Sequence, residues 1–297
     1  KKLFIKKYMK NRIVYKQGNL NDLNKCLSFI KKFYPKSGWK KKYIIWEYIQ
    51  NPFGKAKIFL ALNNKKIVGI TISIPIHFKY NQIKLKGYRT QHVLTDINFR
   101  GQGIFSNLLL NNNKYLDDHT DLNITFPNEN SIPFFEKTNW SHVCDIPLYK
   151  VKIYKKQKTK LEFKPIKKFT NFHENLWEKN LQNNLDIINT SKYLNWRFVN
   201  NPKSKYNMFE ILNDKKVIGY LVLKVYLENN NVKTAHICKY VCPSKYLHDI
   251  IKFSNNYFCD FKINFFSLWC PINSKKVIKD LKLTKIPLKN RKFLYRS

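Results

Sequence analysis

Residues 43–69, YIIWEYIQNPFGKAKIFLALNNKKIVG, and residues 193–219, YLNWRFVNNPKSKYNMFEILNDKKVIG, align without a gap at a constant offset of 150 and are identical at 11 of 27 positions. The shared positions include Trp46/Trp196, Asn51/Asn201, Pro52/Pro202 and Gly69/Gly219. A repeat whose period is half of a 297-residue chain predicts two copies of one fold. Each copy reads as an aromatic-rich helical segment stopped at Asn-Pro, then a strand, an Asn-Asn or Asn-Asp turn, two lysines and a second strand. Proline blocks helix continuation and asparagine tolerates the left-handed turn conformation, so the helix stop and the hairpin each have a mechanism.

The length also suits two domains of about 150 residues better than one core. The segment KIYKKQKTKLEFKPIKK, residues 152–168, is charged and carries Pro165, which makes it the expected linker, with room for a short strand inside it. The expected domains are therefore residues 1–151 and 169–297. The fold class expected is α/β of the α+β type, each domain a mixed, mostly antiparallel sheet flanked by helices.

Hydrophobic residues make up 43% and aromatics 15% of the chain, enough for two buried cores. The net charge of +37 would attract anions such as nucleic acid, phosphorylated cofactors or sugar nucleotides. Nearly all of that charge is lysine, in a chain also rich in Asn, Ile, Tyr and Phe and poor in Ala, Gly and Arg. These are the residues of A/T-rich codons, and base-reading proteins lean on arginine, so the composition argues against a nucleic-acid reader. The longest nearly apolar run, Ile67 to Ile76, is half of what a membrane-spanning helix of about 20 residues needs. The basic start has no signal-peptide core, and six cysteines without an export signal read as free thiols, so a cytoplasmic location is expected. His236, Cys238 and Cys242 would share one face of a strand, but no paired CxxC accompanies them; core packing is the expectation, with no metal.

The stretch Thr95 to Leu109, TDINFRGQGIFSNLL, holds two of the chain's 8 glycines, Gly101 and Gly103. Before it, Tyr88 to Thr95 is rich in β-formers; after it, Ile104, Phe105, Leu108, Leu109, Tyr115 and Leu116 recur at helical spacing. The glycines therefore sit at a strand–loop–helix junction. The first N–H groups of a helix have no internal partner and carry the positive end of its dipole. Bare backbone there lets Gly101, Gln102, Gly103, Ile104 and Phe105 donate to an anion, with Arg100 as counter-charge; a tight turn that merely needs glycine is the competing reading. The dinucleotide fingerprint lacks its last glycine, since position 106 is Ser, and the P-loop Gly-Lys-Ser/Thr is absent.

The order of strand, RGQGIF, amphipathic helix, strand LNITF (residues 122–126) and PNENSIPFFEKTNW (residues 127–140) resembles the GNAT superfamily of acyl-CoA-dependent N-acyltransferases. In that family R/Q-x-x-G-x-G/A holds the coenzyme A pyrophosphate on backbone amides. Arg100 and Gly103 match it, and Phe105 stands at the final Gly/Ala position. The resemblance implies two tandem GNAT-like domains, the first with the acyl-CoA site. It places the cofactor arm between strands ending near Leu94-Thr95 and Phe126, with Asn130 reaching it. Phe135 stands where many members of the family carry a tyrosine that protonates the departing thiolate. The second copy contains no Gly-x-Gly, although residues 269–283 echo FPNENSIPFFEKTNW, so it reads as a degenerate copy with an acceptor-pocket or structural role.

The resemblance implies an N-acyltransferase, in the simplest case an N-acetyltransferase taking acetyl-CoA or another acyl-CoA as donor. Transfer would be direct, in a ternary complex, to a primary amine such as an amino sugar or another small amine; the lysine excess leans toward an anionic acceptor such as a nucleotide-linked amino sugar. His92 and Asp96, flanking the end of the strand before the loop, are the nearest candidates to accept the amine proton, with a satisfied strand histidine and a turn cap as their competing roles. Two alternatives stay open: a Fem-like transferase taking an aminoacyl group from tRNA, and a non-catalytic acyl-CoA-binding protein.

Overall fold

The computed structural model describes residues 12–35, 40–181, 185–227, 233–269, 279 and 284–297, with the backbone alone for 227 and 284–290. In chain order the elements begin with β1 (Val14–Gln17), α1 (Leu23–Phe33), α2 (Lys41–Tyr48), β2 (Lys57–Asn63), β3 (Lys66–Pro75), β4 (Phe78–Tyr80) and β5 (Ile83–Leu85). They continue with β6 (Gly87–Thr95), α3 (Ile104–His119), β7 (Leu122–Thr125), α4 (Ile132–Glu136), β8 (Ser141–Lys152), β9 (Glu162–Ile166) and α5 (Asn171–Asn180). The remainder are β10 (Asp186–Ile187), α6 (Ser191–Leu194), β11 (Asn207–Asn213), β12 (Lys216–Leu227), β13 (Lys233–Val241), α7 (Leu247–Cys259), β14 (Phe265–Trp269) and β15 (Thr284–Arg296).

Two compact units emerge. The first is Lys1–Cys144 with Lys292–Ser297, and the second is Asp145–Arg291. This division differs from the expected one at three places. The boundary falls at 144/145 rather than 151/152, the last six residues return to the first unit, and the expected linker contains β9, which pairs with β11 from Met208↔Ile166 to Leu212↔Glu162. A lysine-rich segment can form an edge strand because its charged side chains face solvent while its backbone completes the sheet.

In the first unit the strands run in the order β1, β2, β3, β6, β7, β15. The pairs are antiparallel except β6 with β7, which is parallel, and the last place is filled by the chain's final residues, Leu294↔Thr125 to Arg296↔Asn123. β3 is buried on both faces, which explains its uninterrupted apolar run. On one face α1 sets Cys26, Phe29 and Ile30 at i, i+3, i+4 spacing and packs with α2 against Leu60, Ile70 and Ile72. On the other, Ile104 and Leu108 of α3 meet Ala61 and Val68, while Leu109 and Leu116 join Phe135, Trp140 and Leu294. Polar contacts fix α3 in rotation and register: buried Asn112 accepts from Ser73 Oγ at 2.7 Å and donates to Thr90 Oγ1 at 3.3 Å. Asn113 beside it accepts from Trp140 Nε1 at 3.1 Å.

The second unit repeats this plan with the order β8, β14, β13, β12, β11, β9, again with one parallel pair, β13 with β14. α7 covers Leu221, Leu223, Ala235, Ile237, Phe266 and Leu268. The repeat extends to detail. β2 and β11 have bounds that differ by 150, and the β2/β3 and β11/β12 ladders both shift register after Ala61 and Ile211. The hairpin residues Asn64 and Lys65 have φ of 46° and 64°, and Asp214 and Lys215 have 49° and 64°, the paired positive values of a type I′ turn. Tyr43 meets Trp46 at 5.3 Å between ring centroids and Tyr193 meets Trp196 at 5.5 Å. Asn51 Oδ1 accepts from Phe53 N as Asn201 Oδ1 accepts from Lys203 N. Among the described residues no helix is long and apolar enough to cross a membrane.

The shared glycine has a different reason in each copy. A Cβ on Gly219 would lie 2.0 Å from the Val241 carbonyl oxygen, whereas on Gly69 it would meet the side-chain ends of Ile104 and Leu108 at 2.8 Å. Backbone cannot step aside as a methyl group can. Gly219→Ala is expected to cost about 3 kcal/mol, the upper end of overpacking, and Gly69→Ala about 1 kcal/mol. Chemical denaturation of both variants checks the order; equal losses would contradict it.

Candidate active site

The site begins where β6 outruns its neighbour. β6 and β7 pair from Gly87↔Leu122 to Thr90↔Thr125, and β7 then ends while β6 continues to Thr95. On its other side β6 carries a bulge: Ile70 pairs with Leu94 and Ile72 with Gln91, so Thr71 faces both His92 and Val93. His92 takes a φ of +53°, rare for a non-glycine residue and held here by the surrounding ladder.

Beyond Thr95, Asp96 caps a 3-10 turn, Ile97–Phe99, accepting from Asn98 N at 3.2 Å, and its carboxylate lies 3.7 Å from Lys32 Nζ. Then comes the loop. Gly101 has φ +76° and Gly103, the residue capping α3, has φ +71°. A Cβ on Gly101 would have nothing within 4 Å, and on Gly103 only Asn107 Nδ2 at 3.6 Å. Backbone conformation rather than crowding requires glycine here. No side chain caps α3, so the N–H groups of its first turn point outward into the open loop. Arg100, Gly101, Gln102 and Gly103 are exposed, while the Ile104 side chain is sunk in the core and leaves only its backbone for the loop. This is a fit for a phosphate group: bare left-handed backbone, a helix start and an exposed arginine preceding the first glycine.

The other predicted cofactor residues fall as follows. Leu94 is half-buried and packs under α1 and α2, and Thr95 is buried with its hydroxyl unpartnered among the described residues. Phe105 is half-buried, its ring 4.9 Å from Phe134 and edge-on to Phe135. Asn130 is exposed, whereas Asn128, which the sequence reading passed over, shapes the turn before α4 by accepting from Ser131 N at 3.0 Å. Phe135 is buried against Trp140, their rings edge to face at 5.4 Å, so it is a core residue and donates no proton.

A polar cluster that the sequence did not announce faces α2 from β6. Glu47 is only 3% exposed, yet its Oε2 atom has no partner among the described residues, and its Oε1 atom lies 3.4 Å from Arg89 Nη2. Arg89 also donates to Gln91 Oε1 at 2.7 Å, and Arg89 Nε and Gln91 Nε2 are likewise buried and unpartnered. Three polar atoms on three touching side chains are thus buried without a hydrogen-bond partner among the described residues. Beside them the hydroxyl of fully buried Tyr48 lies 3.0 Å from His92 Nδ1. Burial first, and Arg89 second, pull the His92 imidazole down to about 3, so it is neutral and weakly basic near neutral pH. Glu47 was hidden because it lies in the helix of the repeat, where Trp46 and Tyr48 read as core.

In the second unit the equivalent junction, from β13 to α7, carries no glycine, and residues 270–278 and 280–283 of the echoed segment lie outside the described residues. His236 contacts Tyr226 and Ser267, and a bulge at Cys238 breaks the strand face that His236, Cys238 and Cys242 would share.

No family model matches the chain, and no curated protein matches it by sequence. Solved structures do. A GCN5-related N-acetyltransferase from Anabaena variabilis superposes with a TM-score of 0.74 at 12% identity, covering 96% of this chain and 72% of that one. The glucosamine N-acetyltransferase region of a fungal multi-domain GH3 β-N-acetylglucosaminidase gives 0.68 at 10%, covering 96% of this chain and 38% of that one. N-myristoyltransferase from Saccharomyces cerevisiae, solved with myristoyl-CoA, gives 0.62 at 10%, covering 96% and 83%. With two copies of one topology in sequence and these superpositions along nearly its whole length, the chain has the tandem GNAT fold.

Proposed function

We propose that the chain is an acyl-CoA-dependent N-acyltransferase that passes an acyl group, in the simplest case acetyl, directly to a primary amine. The observation that carries this reading is the pairing of an open, left-handed glycine loop at the start of α3 with a buried, under-partnered carboxylate beside the bulge of the preceding strand. When bound, acyl-CoA supplies the acyl group as an activated thioester. The backbone N–H groups of Gly101 to Phe105, with Arg100, hold its pyrophosphate.

The amine must shed a proton to attack. Glu47 is the group we assign to take it, through Oε2, with Arg89 and Gln91 fixing the carboxylate. His92 is poorly suited because its Nδ1 faces Tyr48 and its basicity is suppressed; Asp96 is held by Lys32 and its own turn. With phenylalanine at 135, the thiolate leaves without a tyrosine proton donor at that place, and acceleration rests on orientation and polarisation. An amino sugar is the acceptor class we favour, a choice supported by the glucosamine N-acetyltransferase region among the similar structures.

Three measurements test this. Saturating acetyl-CoA, at 100 times its dissociation constant, should stabilise the protein by about 2.7 kcal/mol, and Gly103→Glu should abolish the effect while remaining folded. No shift with acetyl-CoA, CoA or longer acyl-CoAs would remove the donor assignment, and a shift without turnover over an amine panel would favour a binding protein. Glu47→Gln should lower kcat by about 10²-fold or more and leave the acetyl-CoA-induced shift intact; unchanged kcat would end its role as base. The third concerns acid stability. A histidine whose folded value lies below its unfolded one contributes its full stability above about 6.5 and loses it as pH falls toward 3. His92→Asn, which keeps a residue tolerant of positive φ, should therefore lose less stability than the parent between those values; parallel curves would show that His92 is protonated in the fold.

A further inference from the structure

In the second unit β12, β13, β14 and β8 turn one face toward α7, with Leu223, Ala235, Phe266 and Val151 in that core. The alternate residues face the other way, and the ladders set them side by side: Lys224 opposite His236, His236 opposite Ser267, Ser267 opposite Lys150, and Phe265 opposite Lys152. This second face is aromatic and cationic. Phe265 and Trp269 are 39% and 40% exposed, and the strand segments 224–226, 233–241, 265–269 and 148–152 contain no Asp or Glu.

Each of its rings carries a cation. Lys150 Nζ lies 3.7 Å from the centre of the Phe265 ring, Lys224 Nζ 4.9 Å from that of Tyr226, and the Arg291 guanidinium 5.0 Å from that of Trp269. The Tyr226 hydroxyl lies 2.9 Å from His236 Nε2, and His236 Nδ1 contacts Ser267 Oγ, so the middle of the face is tied together by its own side chains.

Cations alternating with exposed rings suit a ligand that is itself alternately anionic and aromatic. Single-stranded nucleic acid has that pattern: its phosphates meet ammonium groups while its bases stack on ring faces. Reach favours a polymer over a single nucleotide, because Phe265 and Trp269 are four residues apart on one strand, about 13 Å at the rise of a strand. An acidic peptide would pair with the lysines and leave the rings without stacking partners. Stacking on rings does not read sequence and needs no arginine fork, so the lysine excess that argues against a base reader is no objection here. The net charge of +37 complements a polyanion.

We propose that this face of the second unit binds single-stranded nucleic acid without reading its sequence, with bases stacked on Phe265 and Trp269 and phosphates held by Lys150, Lys152 and Lys224. The inference stands apart from acyl transfer, since it uses no residue of the first unit.

The experiment titrates the full chain into a fluorescein-labelled single-stranded oligonucleotide of mixed sequence, about twelve nucleotides long, and follows anisotropy at several salt concentrations. A duplex of the same length and labelled polyglutamate are run beside it, to separate stacking on unpaired bases from attraction to any polyanion. Phe265→Ala combined with Trp269→Ala should weaken the single strand by about tenfold or more and leave duplex and polyglutamate unchanged. Lys150→Gln combined with Lys152→Gln should lower the slope of log affinity against log salt for the single strand by about 0.7 per lysine. If the ring variant does not fold, the lysine variant decides. No binding of the single strand, undiminished binding in the folded ring variant, an equal loss for polyglutamate, or an unchanged salt slope each overturns the assignment.

Discussion

The constraint on which this site depends is that β6 and β7 run parallel and stay together for only four residue pairs. Parallel neighbours need a crossover, and α3 is that crossover, so its start must lie at the far end of β6. Because β7 stops at Thr125 while β6 continues through a bulge, the sheet opens just where the helix begins. The glycine loop follows β6 beyond that opening, and the kinked His92 lies on the stretch of β6 that β7 no longer pairs. α3 is held in register by Asn112 and Asn113, whose buried hydrogen bonds would be lost if the helix slid or rotated.

The two copies show what a duplicated frame keeps and what it releases. Both retain the helix stop at Asn-Pro, the type I′ hairpin, the bulged ladder and one parallel pair, which are backbone devices. The side chains set into that frame diverge. The first copy has glycines at the strand-to-helix junction and a buried glutamate; the second has no glycine there and an arginine in the glutamate's place. Backbone geometry has been kept between the copies while the charge at this helical position has been inverted.

Much of the fold was legible in the chain because repetition at a fixed offset is independent of context. The strand, loop and helix around RGQG could be read from period alone, and β6, α3 and β7 lie where the pattern put them. The sixth strand of each sheet was not legible. Residues 148–152 serve the second unit and residues 294–296 the first, and nothing in either segment says which sheet it will join. The boundary segment also carries β9, since an edge strand needs only its backbone to pair and its lysines can face solvent.

The sequence by itself determined the duplication, the turn chemistry and the open glycine loop, since these rest on residue type and spacing along a few neighbouring positions. Left-handed backbone at Gly101 and Gly103 is a local demand that the residues announce. Tertiary structure alone decided that Glu47, Arg89 and Gln91 meet and that Tyr48 faces His92. Those groups are separated by tens of residues, and their chemistry comes from burial and from neighbours that only the packed sheet supplies.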